Sequence, residues 1–235
     1  MSERPIPFRD WEVRAILKGD KTLTRRVMKP QPAPFVQSTP DRHPTTRTDP
    51  YIDAYCGERK TPENPRGMSR DWHWWTADNR LGRLVARCPY GAPGDLLWVR
   101  ETWAQYPIEL NPEPCDAWYK ATSNGPPPPF KWRPSIHMPR WASRITLRIT
   151  DVRVERLQDI EGQHPSESDA IAEGVRAIHH GDGDYYYSAF RDVPHPKNWS
   201  DPADAFREVW NSINGAGAWE ANPWVWVIAF QRVKP

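Results

Sequence analysis

The chain has 235 residues, with 32 Lys and Arg against 30 Asp and Glu, giving a net charge of +2, and it carries 27 prolines and 14 tryptophans. That length can bury roughly 70% of the unfolded surface and fits one domain over 1–235 with insertions better than two, while the near-neutral balance argues against the broad phosphate-neutralising face of a duplex-DNA binder. Cys56, Cys88 and Cys115 lie far apart with no C-x-x-C pair, which disfavours a disulfide framework or a zinc site; no apolar run approaches ~18 residues and no leader-like segment opens the chain, so the expectation is a cytoplasmic protein without a membrane span.

Pro5-Ile6-Pro7-Phe8 predicts a short edge strand, because two prolines cannot donate to a central ladder. A helix follows, with Asp10 as N-cap, Val13, Ile16 and Leu17 on one face, and Gly19 free to take the left-handed conformation that ends it. From Thr22 the β-branched residues predict a strand that Pro30 stops. In an ideal strand Lys21 and Thr24 point opposite ways, so they meet only if the turn at Asp20-Lys21 reorients the lysine.

Residues 30–80 are rich in Pro, Asp, Arg and Thr and lack apolar periodicity, which predicts an insertion ordered only where its aromatics dock. Trp74 and Trp75 could line a nucleobase pocket or anchor that loop. Leu81–Arg87 and Asp95–Glu101 predict strands on either side of the Pro89–Gly94 turn, and Arg100 and Glu101 end the second, as a pocket mouth or as an ion pair. A second insertion over 104–139 holds a short strand at Ala117–Lys120 and a stiff polyproline II run at Pro126–Pro129. Ser143–Leu157 alternates Ile145, Leu147 and Ile149 with Arg144, Thr146 and Arg148, the pattern of a strand with one buried face. Ser166–Glu173 predicts a helix capped by Ser166 and ended by Gly174, with Glu173 in the last turn, against the helix dipole. In a third insertion, over 176–200, His179–Asp184 reads as a polar loop without metal-ligand spacing, docked by Tyr185–Tyr187. Asp201-Pro202 opens a helix whose core stripe is Phe206, Val209, Trp210 and Ile213, and Pro223–Val233, apolar on both faces, predicts a central strand.

The stretch that concentrates chemistry is Gly19-Asp20-Lys21-Thr22-Leu23-Thr24-Arg25-Arg26, with an amine, two hydroxyls and two guanidiniums at the exit of a helix. The pattern G-x-K-T-x-T-x-R after a short amphipathic helix, with Gly94-Asp95-Leu96-Leu97-Trp98-Val99-Arg100-Glu101 far downstream, resembles the ASCH family, which also includes prophage-encoded proteins. The resemblance implies an α+β fold: a small PUA-like β-barrel flanked by short helices, here with long Pro-rich insertions and closed by the last strand. One ASCH group looks like amidohydrolases that remove acyl groups from the N4 amine of cytosine nucleosides, such as N4-acetylcytidine, with a Lys, a Thr and a Glu. By position in the motif these would be Lys21 and Thr24, with Glu173 the best match for the acid. Arg26, Arg100, Glu101, Trp74 and Trp75 are candidates to hold the substrate, and neither metal nor cofactor is expected.

A threonine hydroxyl is a weak nucleophile and needs a base beside it. Lys21 would take the proton of Thr24, and Glu173 would position the lysine or protonate the departing amine. Activation of water by Glu173 or Glu101 fits the same residues. The rivals are an RNA-binding PUA-like module, for which the aromatics and arginines are suited, and a ribonuclease using Lys21 and an arginine on a phosphorane.

Overall fold

The computed structural model describes residues 2–29, 31, 51–56, 61–62, 65, 68–75, 86–105, 117–123, 131–160, 168–181 and 183–233. The Pro-rich start forms β1 (Glu3–Pro7), and α1 (Asp10–Lys18) follows at once. Arg9, not Asp10, is the N-cap residue, because Glu12 in the first turn reaches back and its Oε2 accepts from the Arg9 N–H at 2.8 Å. Gly19 ends the helix at φ 89°, a value its lack of a Cβ makes inexpensive. The chain then enters β2 (Leu23–Val27).

The predicted insertion over 30–80 contains regular structure. β3 (Tyr51–Cys56) pairs antiparallel with β4 (Met68–Trp75), and β4 with β5 (Ala86–Arg87). Aromatic and β-compatible residues supply enough pleat-forming propensity there despite the absent apolar alternation. Trp74 and Trp75 lie on β4; their side chains fall outside the described residues, as do 81–85 of the predicted Leu81–Arg87 strand and Pro126–Pro129. Next come β6 (Leu96–Arg100), β7 (Trp103–Gln105), β8 (Ala117–Tyr119) and β9 (Thr146–Arg156). The C-terminal part adds α2 (Asp169–Ala172), β10 (Arg176–His179), β11 (Tyr185–Ser188), α3 (Pro202–Asn214) and β12 (Trp224–Val233).

The class is α+β. One five-stranded sheet has the order β1-β6-β9-β12-β2, with β1 and β6 parallel and the other neighbours antiparallel. It is open between β1 and β2, and no closed barrel is formed among the described residues. As its two-sided apolar sequence predicts, β12 is central and buried on both faces. Trp226, Ile228 and Phe230 pack with Ile6, Val13, Ile16 and Leu147, while Val225 and Val227 pack with Trp11, Phe206, Val209 and Trp210. Burial of this size supplies the main stabilising free energy, at roughly 25 cal/mol per Å² of apolar surface.

α3 starts on Asp201, whose Oδ1 accepts from the Ala203 N–H at 2.7 Å, with Pro202 in its first turn. Of its predicted stripe, Phe206, Val209 and Trp210 are buried and Ile213 is exposed. α2 is shorter than expected and is capped by Ser168, whose Oγ accepts from the Ala170 N–H; Ser166 lies outside the described residues. The described residues of the predicted polar loop His179–Asp184 lie at the tip of the β10–β11 hairpin, with His179 edge-on to Tyr185 and His180 tilted against Tyr186. Among the described residues no helix is long and apolar enough to cross a membrane.

Candidate active site

Lys21 precedes β2 and is turned inward by its backbone. Its N–H, like that of Asp20, donates to the Ala15 carbonyl at the end of α1, and Thr22 N–H donates to the Ala172 carbonyl at 2.9 Å. Lys21 thus forms an isolated bridge with Glu173 instead of continuing the β2 alternation. Its side chain is 0% exposed. Nζ donates to the Glu173 carbonyl at 2.8 Å and to Glu173 Oε2 at 2.5 Å, with Glu12 Oε1 at 3.6 Å. The rings of Phe8 and Trp11 flank the ammonium, their centroids 5.9 and 5.8 Å from Nζ. An ammonium taken out of water needs such compensation, since the bare desolvation cost is several kcal/mol.

Glu173 caps the C-terminus of α2, where Gly174 follows at φ 97°. A Cβ on Gly174 would stand 3.2 Å from Ala15 Cβ and 3.4 Å from Lys21 Cβ, so the glycine permits the close approach that brings the acid to the lysine. The second carboxylate oxygen, Glu173 Oε1, is buried without a hydrogen-bond partner, and Arg25 Nη1 lies 3.7 Å away. Arg25 is itself buried; its Nη2 donates to Asp169 Oδ2 at 2.7 Å and Glu155 Oε2 at 3.0 Å. Arg153 donates to both of those carboxylates, closing a network that ties α2 to β2 and β9.

Thr24 sits on β2, opposite Ile228 of β12, and is buried. Lys21 Nζ is committed to Glu173 and Glu12; among the described residues no hydrogen bond joins it to Thr24. Thr24 shares with Glu173, Glu12, Trp11, Arg25 and Arg26 a narrow cleft of about 60 Å³, closed on the far side by α3. A wider hollow of about 390 Å³ shares Trp11 with that cleft and has Phe8, Phe190, Asp10 and Thr102 on its walls. Asp10 Oδ1 and Trp11 Nε1 are buried without partners.

No family model, curated protein or solved structure matches the chain. What the site can do therefore rests on its own geometry.

Thr24, Glu173 and Arg26 line one cleft, and Lys21 is joined to it through Glu173. Arg26 stands over the Phe8 ring at 5.0 Å and its Nη2 donates to the Pro7 carbonyl at 2.7 Å. Arg100 and Glu101 line neither cavity. Arg100 stacks on Trp98, 4.7 Å from its centroid, and Glu101 is held by both Nε and Nη2 of Arg144, each at 2.9 Å. Burial pushes the Glu101 carboxyl above its usual range, Arg144 pulls it back, and the Asp10 charge adds to the rise. Glu101 is thus a buried clamp between the end of β6 and the approach to β9.

Glu12, Trp11 and Asp169 have no site role in the sequence reading, and Arg25 enters it only as one of the two guanidiniums of the Gly19–Arg26 stretch. Glu12 carried a readable signal: it adjoins Val13 on the buried side of an amphipathic helix, where a carboxylate needs a cation. Arg25 carried another, as a charged residue between Thr24 and the alternating positions of a short strand. Among the described residues no three His, Cys, Asp or Glu side chains are grouped to hold a metal ion.

Proposed function

We propose that the chain is an amidohydrolase that removes the acyl group from an N4-acylated cytosine nucleoside, and that it is a divergent ASCH protein on a PUA-like plan. The observation that supports this reading is the buried contact between Lys21 and Glu173, 152 positions apart, together with a cleft that Glu173 lines with Thr24. These are the three residue types and positions that the motif resemblance implies.

The geometry favours a particular division of labour. Glu173 Oε1 has no hydrogen-bond partner, with Arg25 Nη1 at 3.7 Å, and Glu173 lines the same cleft as Thr24, so Glu173 is the base that takes the Thr24 proton. Lys21 holds Oε2 and supplies positive charge next to the reacting centre. Thr24 Oγ bonds to the acyl carbon, the C–N bond breaks, and the protonated Glu173 returns its proton to the departing N4 amine. Water then attacks the acyl-threonine, giving its proton to Glu173, and the carboxylic acid leaves as the Thr24 hydroxyl is restored. Glu101 is left out of this scheme because both its oxygens are bound to Arg144.

Size sets the placement of the substrate. About 60 Å³ beside Thr24 suits a small acyl group, and the 390 Å³ hollow beyond Trp11, with its aromatic walls, suits a pyrimidine. Stacking there is worth roughly 1–3 kcal/mol per base. An RNA-binding module has no need of a buried hydroxyl and a buried carboxylate lining one cleft. The deciding experiment is release of cytidine from N4-acetylcytidine, followed by chromatography, for the unaltered chain and for Glu173→Gln. Release by the unaltered chain that Glu173→Gln lowers at least about 100-fold supports the reading; no release at all ends it.

A further inference from the structure

A third hollow, of about 440 Å³, is lined by Gln105, Lys131, Trp132, Arg133, Pro134 and His137, and shares none of these residues with the two cavities around Trp11. It belongs to the segment around β7 and the short 3₁₀ turn Ser135–His137, whose Ser135 lines the neighbouring 390 Å³ hollow. Its charge is one-sided. Lys131 and Arg133 are cations, His137 is a third nitrogen donor, and no carboxylate among the described residues lines the space. Among the described residues, none of the three has an acidic partner, whereas Lys21, Arg25, Arg144 and Arg153 each pair with Asp or Glu.

Cations gathered around one concavity repel each other unless an anion enters, and a merely solvated surface mixes the two signs. The donors also stand on fixed backbone. Arg133 N–H donates to the Trp103 carbonyl at 2.8 Å, Trp103 N–H donates back at 3.2 Å, and the guanidinium lies 5.3 Å from the buried Trp103 ring. The His137 N–H is tied to the Pro134 carbonyl at 3.0 Å. Trp132 adds a half-buried indole and Gln105 an amide that can both donate and accept.

We propose that this hollow is a nucleotide-binding site, with the phosphate held by Lys131, Arg133 and His137, the base against Trp132, and its edge read by Gln105. A phosphate offers only acceptors, which matches a set of donors, and the volume lies within the range of small-ligand pockets, roughly 300–1,000 Å³. The phosphate-bearing unit can be a free mononucleotide or one residue of a single-stranded RNA. The inference does not depend on the amide-cleaving reading, since it uses none of its residues.

The test is isothermal titration of the full chain with cytidine 5′-monophosphate, with cytidine and with a short single-stranded RNA, repeated on Lys131→Glu/His137→Glu. Both side chains are exposed, so the doubly altered chain should melt with the unaltered one; Lys131→Gln/His137→Gln serves if it does not. The expected result is that the monophosphate binds at least about tenfold more tightly than cytidine, and that charge reversal removes at least about tenfold of that affinity. RNA binding tighter than the monophosphate, with a steeper loss as salt rises, identifies the polymer as the source; RNA no tighter than the monophosphate identifies the free nucleotide. Equal affinity for cytidine and its monophosphate, or affinity untouched by either double variant, overturns the proposal.

Discussion

Replacing Lys21 by methionine keeps most of the volume of the side chain and removes its charge, leaving Glu173 Oε2 and Glu12 Oε1 facing apolar rings at distances where an ammonium had stood, 2.5 and 3.6 Å. Removing one partner of a buried pair costs about 3–5 kcal/mol, and here Arg25 Nη1, 3.7 Å from Glu173 Oε1, offers only partial relief. For a chain of 235 residues that is a fall of roughly 6–20 °C in Tm. Glu173→Gln should cost similarly, because it leaves the buried ammonium with only the more distant Glu12 carboxylate, at 3.6 Å, as an ionic partner. The double variant Lys21→Met/Glu173→Gln should cost less than the sum of the two, with a coupling of about 1–3 kcal/mol. Chemical denaturation of the four proteins measures the cycle, and cytidine release measured well below each Tm separates catalysis from folding. Single costs under about 1 kcal/mol that simply add would show that Lys21 and Glu173 are not the coupled, desolvated pair on which the site is built.

Thr24→Ala should hold Tm nearly unchanged yet lower kcat by at least about 100-fold, with Thr24→Ser retaining part of it; near-normal turnover by Thr24→Ala would transfer the attack to water. N4-acetylcytidine should be cleaved faster than an N4-benzoyl analogue, since the cleft beside Thr24 holds about 60 Å³, and equal rates would refute the placement of the acyl group. Gly174→Ala should cost about 1–3 kcal/mol, from left-handed backbone strain and the 3.2 Å approach to Ala15 Cβ, as read by denaturant midpoint. Dialysis against a strong chelator should leave turnover unchanged; activity lost and restored by zinc would redirect attention to His179, His180 and Asp182. Asp95 is pushed up by burial and pulled down more strongly by hydrogen bonds from Ser2 and Ala92 and by Arg4, so its carboxyl lies below its usual range. The stability it adds is present above pH ~4 and lost as pH falls through the lowered folded value; Asp95→Asn should flatten that acid limb, which a series of pH-dependent melts will show.

The elements that carry the site were legible because local rules and global packing agree there. The amphipathic stripe of α1, its ending at Gly19, and the two-sided apolar run of β12 each follow from side-chain period and burial. Lys21 and Thr24 were readable as residues, and Glu173 only through the motif. Where the lysine side chain goes was not. An alternating strand would point Lys21 away from Thr24; β2 starts at Leu23, and Lys21 hangs on α1 backbone with its amine on Glu173 and not on Thr24. The burial of Glu12 and Arg25 escaped because single-residue reading treats a charge on a short helix or strand as solvated, whereas burial is decided by elements more than 100 residues away. Trp74 and Trp75 drew the eye as base-stacking candidates through their clustering, yet the aromatic hollow beside the site is built from Phe8, Trp11 and Phe190, dispersed in sequence.

The bridge between Lys21 and Glu173 also has a temporal consequence. During synthesis the lysine is made 152 residues before the acid that neutralises it, an interval of roughly 8–30 s at 5–20 residues per second. Throughout it α1 has no α2 to dock on, β2 has no β12 beside it, and Lys21 cannot leave water. A chain interrupted anywhere in that span therefore carries the whole G-x-K-T-x-T-x-R stretch and none of its chemistry, so competence should arrive late and all at once, with the completion of the C-terminal third.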